Sequence, residues 1–196
     1  MSDGDLALAG VGVCGPIVTL ITSFSYLMGL GGASLLAMKM GEGDRKSGER
    51  ILFNCFVMLV AISALLTVGF MIFKRQLLFA FGASGESITY ADEYMTIYAL
   101  GSLFALLSVG LNSFITAQGF SATAMLTVVI GAVTNVALDP LFIFVFGMGV
   151  RGAAVATVIS QFLSALWAVL FLALSKRAEV RLKLQKLSWR LMSRVI

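Results

Sequence analysis

The sequence predicts an all-α integral membrane protein, a polytopic helical bundle of about five transmembrane helices. Three observations carry this. Of 196 residues, 59% are hydrophobic and 12% charged, with a mean hydropathy of +0.99, far from the balance of a soluble domain. The apolar residues fall into five runs, each long enough to cross a hydrocarbon core that takes about 20 helical residues. The charges are segregated: the fourteen Lys and Arg lie in loops or near the carboxyl end, and of the ten acidic residues only Asp139 sits well inside an apolar run. There is no histidine, which removes His-based catalysis, haem ligation and most transition-metal sites. No nucleophile stands at useful spacing from a base and no metal cluster is written in the chain, so the sequence offers no enzyme active site.

The opening MSDGD is acidic, lacks a positive leader and runs straight into the first span, so it does not read as a cleavable signal. That span, about 6–38, is too long for one straight crossing; it begins in the interface, tilts, or bends near Pro16. Its far half, GLGGASLLAMKMG, carries Gly29, Gly31, Gly32, Ala33 and Ser34, small residues that permit close helix approach. A phosphate cradle is the competing reading, but the run matches no phosphate-loop spacing and follows no strand. A polar loop, 39–50, leads to the second span, 51–73; a Gly/Ser turn and an acidic stretch lead to the third, 94–117. The uncharged turn QGFSAT precedes the fourth span, 124–146, and GMGVRG precedes the fifth, 153–174. Cys14 and Cys55 fall in apolar spans and read as small buried hydrophobes.

The transmembrane bundle thus occupies 1–175, and 176–196 is a separate basic segment. In that tail Val180, Leu184, Leu187, Leu191 and Val195 share one helical stripe, and Lys183, Lys186, Arg190 and Arg194 another. This pattern predicts an amphipathic helix lying in the cytoplasmic interface, with Trp189 as a headgroup anchor. A nucleic-acid patch or a calmodulin-type target are the alternatives; an anionic lipid surface lies closer than either, so the partner expected is the lipid bilayer and not nucleic acid. Placing the tail, the 39–50 loop and QGFSAT on one side puts eleven basic residues there against three on the other. By the positive-inside rule that side is the cytoplasm and the amino terminus is outside; the location expected for this multi-pass chain is the cell (plasma) membrane. An outside terminus without a signal is resolved by one more helix upstream, and the chain reads as a fragment or truncated form of a longer protein.

Asp139 is the most costly residue in the sequence. An Asp near the centre of a membrane helix costs roughly 2.5 to 3.5 kcal/mol, so it faces a bundle interior or watery cavity. Asn135 lies one turn earlier on the same helical face. Pro140 removes one backbone donor and frees the carbonyl of Val136 beside the carboxylate, an arrangement able to bind a small cation. The alternative is a structural Asp hydrogen-bonded across helices.

The segment GAVTNVALDPLFIFVFGMGVRGAAVATVISQ resembles the fifth and sixth helices of the multidrug and toxic compound extrusion (MATE) family. GLGGASLLAMKMGEGDRKSGER resembles the end of that family's second helix and the loop after it, and YMTIYALGSLFALLSVGLNSFITAQG its fourth helix. The resemblance implies that the five spans are helices two to six of one six-helix lobe in a twelve-helix transporter, with the first helix and the second lobe missing. It also implies a cation or proton site, with Asn135, Asp139 and Thr157 at matching positions, able to take Na⁺, and no counterpart for the family's first-helix acid. At 1.5 Å per residue the boundaries place Asp139 roughly 10 Å and Thr157 roughly 6 Å below the outer end of their spans.

The implied function is secondary antiport: export of amphipathic, often cationic organic compounds in exchange for H⁺ or Na⁺, with no cofactor beyond the coupling ion. Protonation or Na⁺ binding would switch the charge of Asp139. Tyr94, Tyr98 and Gln118 could contribute hydrogen bonds, although tyrosines at a span's end also serve as interface anchors. Phe104, Phe114, Met125 and Phe142 could line a drug cavity, or face lipid and helix packing. The alternatives are a lipid-linked saccharide flippase of the same superfamily and a non-transporting membrane subunit or remnant.

Overall fold

The structure, a computed structural model, describes residues 3–185. The helices are α1 (Asp3–Gly41), α2 (Arg45–Ala80), α3 (Ile88–Leu100), α4 (Ser102–Ala117), α5 (Ser121–Pro140) and α6 (Gly149–Leu174), with a π-helical turn, Leu141–Val145, continuing α5. Four of these are long and apolar enough to cross a membrane, α5 counting together with its π turn; α3 and α4 are bent by 56° at their junction, and the count reaches five when that pair is taken as one span. The bundle is therefore the polytopic α-helical membrane fold that the apolar runs predict.

The first helix stays continuous through Pro16 over 39 residues. At 1.5 Å per residue this is about 58 Å, nearly twice a hydrocarbon core of about 30 Å, so the helix projects beyond the core or tilts within it. Its glycines set the packing. A Cβ on Gly29 would stand 2.9 Å from the Gly110 carbonyl oxygen, and one on Gly32 2.5 Å from Cys55 Sγ and Phe114 Cζ. Small residues thus let α1 lie directly on α4 and α2, as expected where van der Waals packing drives helix association. The core between them holds Ile21, Met28, Leu59, Leu106 and Leu111, and both cysteines are buried and free within or beside it.

At the loop between α1 and α2, Gly43 takes φ +75°, and Asp44 caps α2 by accepting a hydrogen bond from the Ser47 amide at 3.1 Å. Those Ser47 hydrogen bonds hold the Asp44 carboxyl below the usual range, with weaker help from Lys39 and Arg50.

The predicted third span is not one straight helix. It starts earlier, at Ile88, and breaks at Gly101, where α6 presses in: a Cβ there would stand 2.4 Å from Val158 Cγ2. The Ala99 carbonyl beside the break accepts from Thr67 Oγ1 of α2 at 2.9 Å, and the same hydroxyl pairs with Ser102 Oγ at 2.9 Å, so polar groups at the break are satisfied from a neighbouring helix. Helix α4 runs at the centre, against α1, α2, α5 and α6. Helix α5 lies at an edge, with Met125, Val128, Val133 and Val136 uncovered.

The tail also differs from its predicted form. Residues 175–185 are not helical but irregular, with bends at 176–177 and 179–180. They fold back over the bundle end, where the Val180 amide donates to Gln118 Oε1 at 3.0 Å and the Leu182 amide to the Leu172 carbonyl at 2.8 Å. Val180, expected on an amphipathic stripe, is wholly buried against Leu36 and Gly48. These captured backbone groups are unavailable to a helix. Leu187, Leu191, Val195, Lys186, Arg190, Arg194 and Trp189 lie outside the described residues.

Candidate functional site

The end of α5 and the first half of α6 meet where Gly152 allows it: a Cβ there would stand 2.8 Å from the Phe142 carbonyl oxygen in the π turn. That close approach sets Thr157 across from Asn135. Asn135 Nδ2 donates to Asp139 Oδ1 at 3.3 Å within α5, the i to i+4 pair expected from the spacing, and reaches Thr157 Oγ1 at 3.5 Å. Thr157 Oγ1 in turn donates to the Ala153 carbonyl at 2.9 Å. Asn135, Asp139 and Thr157 are each half-buried, so the cluster borders an opening and is not sealed in the core. Among the described residues no group of three His, Cys, Asp or Glu could hold a metal, so any cation here would rest on one carboxylate and neutral oxygens.

Two tyrosines extend the cluster onto α3. Tyr94 stands beside Thr157 and within electrostatic reach of Asp139, and its ring stacks on Tyr98 with centroids 6.1 Å apart. Tyr98 is 1% exposed, and its hydroxyl accepts from Gln161 Nε2 at 3.3 Å. Tyr98 is thus turned into the bundle, and Tyr94 is half-buried. Gln161, four residues after Thr157 on the same face of α6, has its Oε1 buried without a hydrogen-bond partner. The i to i+4 spacing from Thr157 was the signal that could have singled it out. Just before Tyr94, α3 carries two ion pairs to its neighbours: Glu93 with Arg151 at 2.8 Å and Asp92 with Lys74 at 2.9 Å.

Gln118 does not belong to this site. It lies at the opposite end of the bundle, where its Oε1 holds the tail, and the length of α5 separates it from Asp139, about 27 Å at 1.5 Å per residue. Of the apolar residues considered for a drug cavity, Phe114 is fully buried in the core and Phe104 packs edge-on against Phe162, centroids 5.0 Å apart.

A second feature occupies the bundle half nearer Gln118. A cavity of about 550 Å³ opens between α1, α4 and α5, bordered by Tyr26, Ser34, Asn112, Ser113, Thr116 and Thr127 among others. Its walls carry hydroxyls and an amide but no charge, and Asn112 Oδ1 is buried there without a partner.

These features define a polytopic α-helical membrane protein with an intramembrane carboxylate in an amide and hydroxyl cluster. The MatE family model matches residues 1–141, and the chain belongs to the MatE family. It is 33% identical over 174 residues to a probable multidrug resistance protein, YpnP, of Bacillus subtilis, and 25% identical over 181 residues to the multidrug export protein MepA of Staphylococcus aureus. Those alignments cover 86% and 92% of this chain, but 38% and 40% of the relatives. The inward-facing structure of a multidrug resistance MATE family transporter superposes with a TM-score of 0.93 at 26% identity, over 98% of this chain and 44% of that one. The chain thus spans about two-fifths of the length of the relatives it matches.

Proposed function

We propose that this chain supplies most of one lobe of a secondary antiporter that exports amphipathic, often cationic organic compounds across the plasma membrane in exchange for H⁺ or Na⁺. The observation that carries the reading is the juxtaposition of Asp139, Asn135 and Thr157 in the half-buried cluster described above. A carboxylate at that depth is expensive unless it is neutralised, paired or wetted, so taking up a proton or Na⁺ changes the relative cost of two helix packings. The Asn135 amide suits both states: Nδ2 donates to a bare carboxylate, and rotating the amide offers Oδ1 to a cation. Tyr94 and the Tyr98–Gln161 pair position Thr157's helix against α3. The uncharged polar cavity between α1, α4 and α5 suits the amphipathic character of such compounds, because it offers hydrogen bonds beside apolar wall.

The names of the relatives, a multidrug resistance protein and a multidrug export protein, support the same reading. The start of α2, the Gln118 turn and the tail share one end of the bundle; the eleven-to-three basic asymmetry favours the cytoplasm for that end. Alternating access needs two lobes moving about a shared site. In an efflux-deficient host, the chain alone should give no energy-dependent export of a cationic dye, whereas the chain joined to the carboxy-terminal portion of the Bacillus relative should. Robust export by the chain alone would overturn the requirement for a second lobe.

A further inference from the structure

The irregular tail does more than cover the bundle end. Between it and the start of α2 lies a cavity of about 420 Å³, whose walls carry five cations, Arg45, Lys176, Arg177, Arg181 and Lys183, against two carboxylates, Glu49 and Glu179. Lys183 is paired with Glu49 at 2.7 Å, and Glu49 also accepts from Gln185 Nε2 at 3.3 Å, so that acid is spent. Arg45, Lys176, Arg177 and Arg181 enter no ion pair among the described residues, which leaves four cations facing Glu179. The wall is fixed in place: Ala178 and Val180 are buried, and the Val180 and Leu182 amides are both bonded to the bundle. Unpaired like charges converging on one cavity repel each other, and an anion with several oxygens relieves that repulsion through charge-assisted hydrogen bonds.

We infer that this cavity binds the phosphate headgroup of an acidic phospholipid. A phosphate-bearing solute would share the chemistry, but the surroundings favour a lipid. Leu174, at the end of α6, is 71% exposed, and Leu184, next to Lys183, is 91% exposed, so apolar side chains border the cationic residues where acyl chains would lie. The headgroup bridges Arg45 at the start of α2 to Arg181 on the tail, and so ties the tail to the bundle. The inference rests on the bundle lying in a membrane and not on the transport reading.

The test is lipid binding to the purified 196-residue chain in detergent, read by native mass spectrometry with phosphatidylglycerol and phosphatidylcholine in competition. Phosphatidylglycerol should be preferred by about ten-fold or more, since each cation near an anionic headgroup contributes about five-fold and several act together, and the preference should shrink as salt rises. Arg45→Gln with Arg181→Gln should reduce it to about two-fold or less on the same scale. Arg45→Lys with Arg181→Lys keeps the charge and should keep most of the preference, which separates loss of the site from loss of the fold. Arg75→Gln, an exposed cation at the far end of α2, should leave it unchanged. Equal binding of the two lipids, a preference that survives the double Gln variant, or equal loss in Arg75→Gln would each overturn the inference. Complete displacement of the lipid by millimolar inorganic phosphate would assign the cavity to a free anion and overturn the lipid source.

Discussion

Replacing Gly101 by Ala isolates the contact that sets α6 against the α3–α4 bend. The backbone there has φ −86° and ψ −1°, which an alanine adopts, so no conformational penalty opposes the change. On its own, a Gly→Ala substitution at such a position would stabilise by about 0.4 to 1 kcal/mol through the unfolded chain. Against this, the new methyl would stand 2.4 and 2.6 Å from the two γ-carbons of Val158, where carbon atoms prefer about 3.5 to 4.0 Å. Overpacking of this size costs about 1 to 3 kcal/mol. The steric term wins, and the apparent melting temperature of the chain in detergent should fall, by about 2 to 4 °C per kcal/mol of net loss. Val158→Ala removes both clashing γ-carbons and leaves only the β-carbon, at 3.0 Å. In Gly101→Ala with Val158→Ala most of the damage from the first change should therefore disappear, with a coupling of about 1 kcal/mol or more. A melting point at or above the parent for Gly101→Ala, or simple additivity in the double variant, would refute the packing argument. Because Val158 adjoins Thr157, the single variant should also disturb the polar cluster.

Tyr98→Phe leaves Gln161 Nε2 buried without its acceptor and should cost about 1 to 3 kcal/mol in thermal stability, while Tyr98→Phe with Gln161→Leu should recover part of that loss, because both polar groups then leave together. Equal stability of Tyr98→Phe and the parent would mean that the hydroxyl is not sealed from water. Orientation is open to cysteine labelling in intact cells, since Cys14 and Cys55 are buried and give little background. Glu86→Cys, exposed in the α2–α3 loop, should react with an impermeant reagent and Lys46→Cys should not; the opposite pattern would invert the topology.

The helical membrane bundle was legible because 20-odd apolar residues have few other uses, and the small residues of α1 announced close packing that Gly29 and Gly32 carry out. The break at Gly101 was not, since it depends on Val158, far along the chain, pressing on a single glycine. The tail shows tertiary contact overriding pattern: the stripe through Val180 and Leu184 predicts a helix, yet Gln118 and the Leu172 carbonyl claim the amides that a helix there would use. In the site, the Asn135–Asp139 spacing could be read directly, whereas Thr157 came through family resemblance. Tyr98 looked like an anchor because it sits near a predicted span boundary; with α3 running from Ile88 to Leu100 the residue lies instead just before the break at Gly101 and turns inward. Gln118 was drawn to the site by its place at a span's end, the wrong end of the bundle.

The claim that Asp139 is the ion-coupling carboxylate is tested most directly by Asp139→Asn in the chain joined to a second lobe, with membrane abundance and export measured on the same cells. The substitution keeps the side chain's size and its neighbourhood with Asn135 but abolishes the change of charge. The account predicts near-normal abundance with coupled export lost, and smaller losses for Asn135→Ala and Thr157→Val, each of which removes a neutral partner and leaves the titrating group. Low abundance with near-normal export per molecule would contradict it and make Asp139 a structural residue.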